Sequence, residues 1–146
     1  MRHHAASAPQ RTAIVGGATQ LSYGEVEQLA NRMAAVLRRL GLARGDHLAS
    51  LIGNRPQALA LAWAAWRSGL YLTPMSTALA PAELRYLVDD CDAKAVVVDA
   101  DLQALAAPLA APTAKSIHWL SLGVEKSRHR GAGAPARRCV ATSCCR

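Results

Sequence analysis

The chain has 146 residues, of which 51% are apolar and 18% are charged. This length suits one ordinary domain, and this balance excludes an intrinsically disordered chain, whose apolar content is too low to offset chain entropy. The formal net charge of +7 is unevenly placed, since residues 1–112 carry 10 basic and 9 acidic side chains, whereas residues 113–146 carry 7 basic side chains and one acidic side chain.

The first predicted elements are a β-hairpin and an amphipathic helix. Short apolar stretches flank the turn-forming sequence GGAT at 16–19, which is typical of a small hairpin. Ser22 and Glu25 have the spacing of a capping box, which satisfies unpaired amides in the first turn of a helix. Apolar residues then recur at helical spacing, and Gly41 stands where a left-handed C-cap is needed. We therefore expect a helix over 23–40.

The next part of the chain alternates between strands and helices. The sequence predicts a strand at 47–52, a helix at 56–68, a strand at 70–74, a helix from Pro81, a strand at 95–98 and a helix at 102–109. The helix at 56–68 leaves no polar face, so it needs cover on several sides. The continuous apolar run at 95–98 is typical of a parallel strand buried on both faces. The order predicts an α/β fold with βαβ units and a mostly parallel sheet.

The regular pattern stops near Pro112, which divides the chain into a body at 1–112 and a basic, cysteine-containing, irregular tail at 113–146. Two explanations are open: a reading-frame change in a GC-rich gene, or a genuine basic tail that binds nucleic acid or an acidic partner through counterion release. Trp119 is the only aromatic residue of this tail, which counts against the aromatic stacking series of single-strand binders.

Cysteine usage divides in the same way as charge. Cys91 lies in the body, whereas Cys139, Cys144 and Cys145 lie in the tail. The N-terminus has no apolar signal-peptide core, and the longest apolar run, at 58–66, is much shorter than a membrane-spanning helix. We therefore expect a cytoplasmic protein with free thiols and no membrane span.

Several residues resemble parts of functional sites but have simpler interpretations. Cys139, Cys144 and Cys145 lack the paired spacing and the fourth ligand of a structural zinc site. Gly16 and Gly17 are not followed by the lysine and helix of a P-loop, so a hairpin turn is favoured. The remaining candidates are expected in the core (Trp63 and Trp66), at the surface (His47) and on a solvated helix end (Asp89, Asp90 and Asp92).

An ordered series of short motifs resembles the opening of the adenylate-forming superfamily, which comprises acyl-CoA synthetases, luciferases and peptide-synthetase adenylation domains. The series covers about residues 10–110 and consists of LSYGEV at 21–26, ANR at 30–32, the turn at 41–46, Asn54, RSGLYLTP at 67–74, TAL at 77–79 and ELRYLVDDCDAK at 83–94. Its second half looks like bacterial fatty-acyl-CoA synthetases. Met75 and Ser76 after Pro74 favour acyl-CoA ligases over peptide-synthetase domains.

The resemblance implies part of a large N-terminal domain with a layered sheet. It also implies the family's reaction, in which a carboxylic acid and ATP give an acyl adenylate that coenzyme A then captures, with Mg²⁺ neutralising phosphate charge. The family's Ser/Thr/Gly-rich phosphate loop ending in Pro-Lys is absent here, as are the ribose-binding aspartate and the lysine-bearing C-terminal domain. We therefore expect an inactive N-terminal fragment of a fatty-acid–CoA ligase with no catalytic, cofactor-binding or metal-binding residue of its own.

Two other functions stay open at this stage. One is a non-catalytic α/β module that binds a partner through the surface that the missing domain would cover. The other, less favoured, is nucleic-acid binding through the basic tail.

Overall fold

The computed structural model of the protein describes residues 1–16, 19–110 and 116–123. The elements, in chain order, are α1 (Arg2–Ser7), β1 (Thr12–Gly16), β2 (Thr19–Ser22), α2 (Tyr23–Arg39), β3 (His47–Leu51), α3 (Pro56–Arg67), β4 (Tyr71–Pro74), α4 (Pro81–Asp90), β5 (Ala93–Asp99), α5 (Gln103–Ala106) between 3₁₀ turns at Ala100–Leu102 and Ala107–Ala110, and β6 (His118–Leu122). The predicted hairpin and the predicted alternation of strands and helices from β3 to β5 are confirmed.

Four strands form one parallel sheet in the order β4-β3-β5-β6, while β1 and β2 pair separately as an antiparallel hairpin. Leu48 on β3 lies opposite Leu72 on β4 and Ala95 on β5. Strand β4 lies on one side of β3, and β5 lies on the other side. The chain therefore crosses from β3 to β4 in one direction and from β4 to β5 in the opposite direction. Because such crossovers are right-handed, their helices α3 and α4 lie on opposite faces of the sheet. The predicted α/β fold with a parallel sheet is confirmed.

The two faces of the sheet belong to two separate apolar cores. One core joins alternate residues of β3 and β5 to the helix pair α2 and α3, and its buried members include Leu48, Ala95, Val97, Leu37 and Leu61. The other joins the intervening residues to α4 and to the segment after β5, and its buried members include Ala49, Val96, Val98, Leu84 and Leu109. Strand β5 is thus covered on both faces, as its continuous apolar run predicted.

Helix α2 begins and ends at the residues that the sequence indicates. The Glu25 amide donates to Ser22 Oγ at 3.3 Å, and the Ser22 amide donates to Glu25 Oε2 at 2.8 Å, which completes the predicted capping box. Beyond the last turn, Gly41 has φ +82°. The helix packs on α3 through a cluster of buried alanines, which are Ala30, Ala34 and Ala64. Small side chains at this contact let the two helices approach closely.

Three sequence expectations need correction. Helix α1 was not predicted. The predicted helix at 102–109 is one short helix between 3₁₀ turns, because Pro108 lacks an N–H and disrupts helical bonding around it. The predicted loss of regular structure after residue 112 is wrong at β6, which pairs with β5 in parallel. That strand has only five residues, and exposed and half-buried positions do not alternate strictly along it, so its sequence pattern is weak. The described residues do not include 17–18 of the hairpin turn. They also do not include 124–146 of the tail, where Cys139, Cys144 and Cys145 lie.

Gly69 closes the turn between α3 and β4, and we expect its replacement by alanine to destabilise the fold. Its φ is +72°, and an added Cβ would lie 2.8 Å from Arg44 Cγ. A left-handed backbone costs a residue with a Cβ about 1–2 kcal/mol, so Gly69→Ala should lower the free energy of unfolding by about that amount in urea titrations. Gly123→Ala is the matched control, since an added Cβ there meets nothing within 4 Å. Equal losses from both substitutions would contradict this explanation.

Candidate functional site

The carboxyl ends of β3 and β5 form the topological switch point of the sheet. These two strands are neighbours, and the chain leaves them for helices on opposite faces. In open α/β sheets such a point opens a crevice in which ligands bind. The candidate site is therefore defined by residues 52–55, which follow β3, and by residues 99–101, which begin at the last residue of β5.

Arg55 connects the two sides of this crevice. Its Nε lies 2.8 Å from Asp99 Oδ2, and its Nη2 forms a second ion pair with Asp101. The Asp99 side chain is only 3% exposed, whereas that of Asp101 is 61% exposed. A buried carboxylate is costly unless it is paired. The guanidinium of Arg55 therefore compensates a buried charge and at the same time ties together the segments that follow β3 and β5.

The backbone after β3 brings Arg55 into this position. A Cβ on Gly53 would lie 3.8 Å from Asp99 Oδ2, so the chain runs close beside the buried carboxylate. The Arg55 amide donates to the Gly53 carbonyl at 2.8 Å, which turns the chain sharply. Arg55 is then the N-cap of α3, with Pro56 in the first turn. The first turn of α3 also holds Gln57, whose Oε1 is shielded from solvent and accepts no hydrogen bond from the described residues.

The ion pairs of Arg55 with Asp99 and Asp101 are suited to holding segments of the chain in place. Arg55 is the one cation of this cluster and is already bound to two carboxylates, so it offers no free positive charge to a phosphate. In the ranges that the structure describes, no group of three or more His, Cys, Asp or Glu side chains is placed to hold a metal ion. ATP and Mg²⁺ therefore do not fit the residues present at this crevice. What the cluster does is hold two loops in a fixed relation at the carboxyl edge of the sheet.

His47 lies at the opposite, amino-terminal edge of the sheet. It is half-buried, and its ring stacks on that of Tyr71 with the centroids 4.8 Å apart. Beside it, the Lys94 ammonium lies 2.7 Å from Asp46. The Ala43 amide, and after it Lys94, hold the pKa of the Asp46 carboxyl below its ordinary value. These contacts fix a turn and the start of β3, and they are remote from the crevice along the strand.

The acidic residues at the end of α4 are exposed, as the sequence predicts. Arg85, one turn earlier in the helix, forms an ion pair with Asp89 at 2.9 Å. Asp92, which follows the helix, has φ +51°. The three carboxylates thus lie on a solvated helix end and at a turn, away from the crevice.

The two tryptophans of α3 correct a sequence expectation. Trp66 is 59% exposed, so its predicted core position is wrong. Trp63 is half-buried and packs on the alanine cluster between α2 and α3. The helix is covered by the sheet on one side and by α2 on another, and Trp66 lies on a third side that no described residue covers.

The sequence analysis did not single out Arg55, Asp99 or Asp101. The signal that points to them is positional: Arg55 comes shortly after one predicted parallel strand, and both aspartates follow directly on another. Charged residues of opposite sign at the carboxyl ends of strands that prove to be neighbours are expected to meet. The order of the strands in the sheet, which motif spacing does not give, is needed to use that signal.

Among the described residues, no helix has both the length and the apolar content needed to cross a bilayer.

Comparison with known proteins places the chain in one enzyme family. The family model described as AMP-binding enzyme matches residues 1–136. A long-chain-fatty-acid–CoA ligase of Mycobacterium tuberculosis is 31% identical over 147 residues, covering 95% of this chain and 29% of the relative. A 3-hydroxybenzoate–CoA ligase of an Aromatoleum species is 34% identical over 104 residues, covering 68% of this chain and 20% of the relative.

The folds agree as well. The ATP-bound structure of MatB from Rhodopseudomonas palustris superimposes with a TM-score of 0.69 at 33% identity, covering 80% of this chain and 23% of that protein. The α/β fold described above matches the N-terminal domain of adenylate-forming enzymes. The chain spans 20% to 29% of the length of the two curated ligases. These comparisons favour an acyl-CoA ligase family over a separate partner-binding module or a nucleic-acid-binding protein.

Proposed function

The chain belongs to the AMP-binding enzyme family, and from this we propose that it is the N-terminal scaffold of an adenylate-forming acyl-CoA ligase, without activity of its own. The complete enzyme would convert a fatty or other carboxylic acid, ATP and coenzyme A to acyl-CoA, AMP and diphosphate, with Mg²⁺ on the phosphates. Support for the substrate class comes from the curated ligases, one of which is a long-chain-fatty-acid–CoA ligase. Support for ATP comes from the ATP-bound MatB.

The observation that carries the proposal is a switch-point crevice whose loops are held in place and at which the described residues offer no free group to bind phosphate. Arg55 is occupied by Asp99 and Asp101. The phosphate loop of the family ends in Pro-Lys, and none of the seven prolines of this sequence is followed by lysine. The described residues therefore supply no group to hold ATP, and the described sheet would serve as one side of the site in the complete enzyme.

We also propose that the family-derived part of the chain extends past the boundary at residue 112 that charge alone suggests. The family match runs to residue 136, and β6 continues the parallel sheet at His118–Leu122. Translation of all three frames of the DNA downstream of residue 112 tests the origin of the basic tail. A phosphate loop in another frame supports a reading-frame change, whereas its absence from every frame counts against it.

The inactivity of the chain alone is the testable core of this proposal. We expect the purified 146-residue protein to give no carboxylate-dependent ATP–pyrophosphate exchange above background with long-chain or aromatic acids. The full-length ligase of Mycobacterium tuberculosis, assayed in parallel, supplies the positive control. Exchange by the purified chain that scales with protein concentration and survives repurification would contradict the proposal, because it would require a nucleotide site that the described residues do not form.

A further inference from the structure

Helix α3 carries an exposed apolar stripe, which we name the α3 stripe and define as Leu59, Trp63 and Trp66. The spacing of four and then three residues places the three side chains on one side of the helix. Leu59 is 51% exposed and Trp66 is 59% exposed. The rings of Trp63 and Trp66 meet edge to face with their centroids 5.4 Å apart, so the two indoles form one continuous surface.

The stripe lies on the only side of α3 that described residues leave uncovered. Leu61 and Ala65 are buried in the core beneath the sheet, and Ala64 is buried against α2. A helix that is apolar all round is normally an internal helix with layers on both sides. Exposed tryptophan pairs are costly in water and mark surfaces that are covered by another element. The sheet supplies the first layer, and no residue in the described ranges supplies a second layer on the opposite side.

Both ends of the stripe are flanked by charges that are already paired. Arg67 binds Glu27 through Nη2 at 2.8 Å with both side chains mostly buried, and Arg55 binds Asp99 and Asp101 at the start of the helix. An incoming apolar layer would therefore meet no uncompensated charge along α3. The stripe is suited to a covering element that is itself apolar.

The size of the stripe argues against a second copy of this chain as its occupant. Two half-exposed indoles and one leucine offer on the order of 300 Å², whereas a stable interface buries about 800 Å² on each partner. A layer that belongs to the same enzyme does not face this requirement, because it is anchored by further contacts. The longer of the two curated matches covers only 29% of the relative, so enzymes of this family hold much additional polypeptide.

We propose that the α3 stripe is the docking seat for the remainder of an adenylate-forming ligase, namely the polypeptide that lies beyond the match in full-length relatives. This inference rests on the proposed function. Trp63, fixed by the alanine cluster, is the rigid part of the seat, and Trp66 is the part that the partner buries. Docking there would place the additional polypeptide against the outer side of α3, whose first turn, next to Arg55, borders the switch-point crevice.

Co-expression tests the docking seat directly. The probe is the part of the Mycobacterium tuberculosis ligase that lies beyond its match to this chain, tagged and produced in the same cells as the untagged 146-residue protein. We expect the two to co-purify, and we expect Trp66→Ser and Leu59→Ser each to lower the retained fraction about tenfold. In the complex, acrylamide should quench tryptophan fluorescence less than in the free chain.

Tyr86→Ser is the matched control. Tyr86 is 67% exposed and lies on α4, on the opposite face of the sheet, so this variant should bind like the original chain. Thermal melts of the free variants verify that each remains folded. Equal retention of the Trp66→Ser, Leu59→Ser and original chains would overturn the proposal, as would failure of the original chain to bind. Concentration-dependent dimers of the free chain that Trp66→Ser abolishes would also overturn it, because the occupant would then be a second copy.

The same preparations separate this inference from the proposed function. Binding that depends on Trp66 but restores no ATP–pyrophosphate exchange supports the docking seat and counts against the ligase scaffold. Exchange restored equally by the original chain and by Trp66→Ser overturns the docking seat and leaves the ligase scaffold standing.

Discussion

Arg55→Met is expected to lower the free energy of unfolding by about 3 kcal/mol, since breaking a buried ion pair from one side leaves an uncompensated charge. Asp99 is 3% exposed and lies 2.8 Å from Arg55 Nε. Methionine keeps much of the apolar stem of arginine, so the loss is assigned to the missing cation and not to a cavity. Urea unfolding at pH 7, followed by circular dichroism, measures the effect.

Two further variants establish that the buried carboxylate causes the loss. Lys94→Ala removes a cation that is 59% exposed, and the Asp46 carboxylate, which is 13% exposed, keeps its hydrogen bond from the Ala43 amide at 2.8 Å. It should therefore lower the free energy of unfolding much less than Arg55→Met does. The double variant Arg55→Met/Asp99→Leu removes both charges and should recover most of the lost stability, because apolar replacements of buried pairs are often neutral. A double variant no more stable than Arg55→Met would show that the charge is not the cause.

The same ion pair shows what the sequence does and does not predict about the site. The strands that end at Leu51 and Asp99 were predicted within one or two residues, because each is a short apolar run bounded by polar residues. The meeting of Arg55 with Asp99 depends on β3 and β5 being neighbours, although β4 and its helices separate them in the chain. Strand order is a long-range property, and periodicity along the chain carries no information on it.

The fold was predicted best where local chemistry is strong. The capping box of Ser22 and Glu25 defines the start of α2, and Gly41 defines its end, each on its own. Strand β6 was missed because its residues, His118–Leu122, do not form a continuous apolar run and because the composition around them is basic. It is identified only by its pairing with β5.

The predicted core position holds in part for Trp63 and is wrong for Trp66, and this difference has a physical reason. A helix with no polar face was predicted to need more protein around it, and its two tryptophans were assigned to the core. Trp63 packs on the alanine cluster between α2 and α3, because the small side chains of this cluster leave room for an indole at its margin. Trp66 lies one turn further along, outside that cluster, and remains exposed.

A second ion pair joins α2 to α3 and gives the fold a pH dependence. Arg67 donates to both carboxylate oxygens of Glu27, at 2.9 and 2.8 Å, and also to Asn31. The hydrogen bond and charge of Arg67 hold the pKa of Glu27 below its ordinary value of 4.5, against an opposing effect of burial. The ionised carboxylate is therefore more favourable in the folded state than in the unfolded state, and the pair stabilises the contact between the two helices.

Glu27→Gln should lower the free energy of unfolding by about 2 kcal/mol at pH 7, the magnitude of hydrogen bonds to charged groups. A carboxyl with a depressed pKa contributes its full stability above its unfolded-state value and loses it as the pH falls through the folded-state value. The difference between the original chain and Glu27→Gln should thus be constant from pH 7 to about 5.5 and shrink below about 4.5. Urea unfolding at half-unit pH intervals measures it.

Two variants isolate Arg67 as the cause of this pH dependence. Arg67→Met removes the cation that lowers the pKa of Glu27, so its unfolding free energy should lose the same acid-sensitive component as that of Glu27→Gln. Asn31→Ala removes the weakest of the contacts that lower the pKa of Glu27, so it should remove only a small part of the acid-sensitive component. If Arg67→Met kept the acid-sensitive component, the carboxylate would owe its depressed pKa to another group, and the contact between α2 and α3 would not depend on this pair.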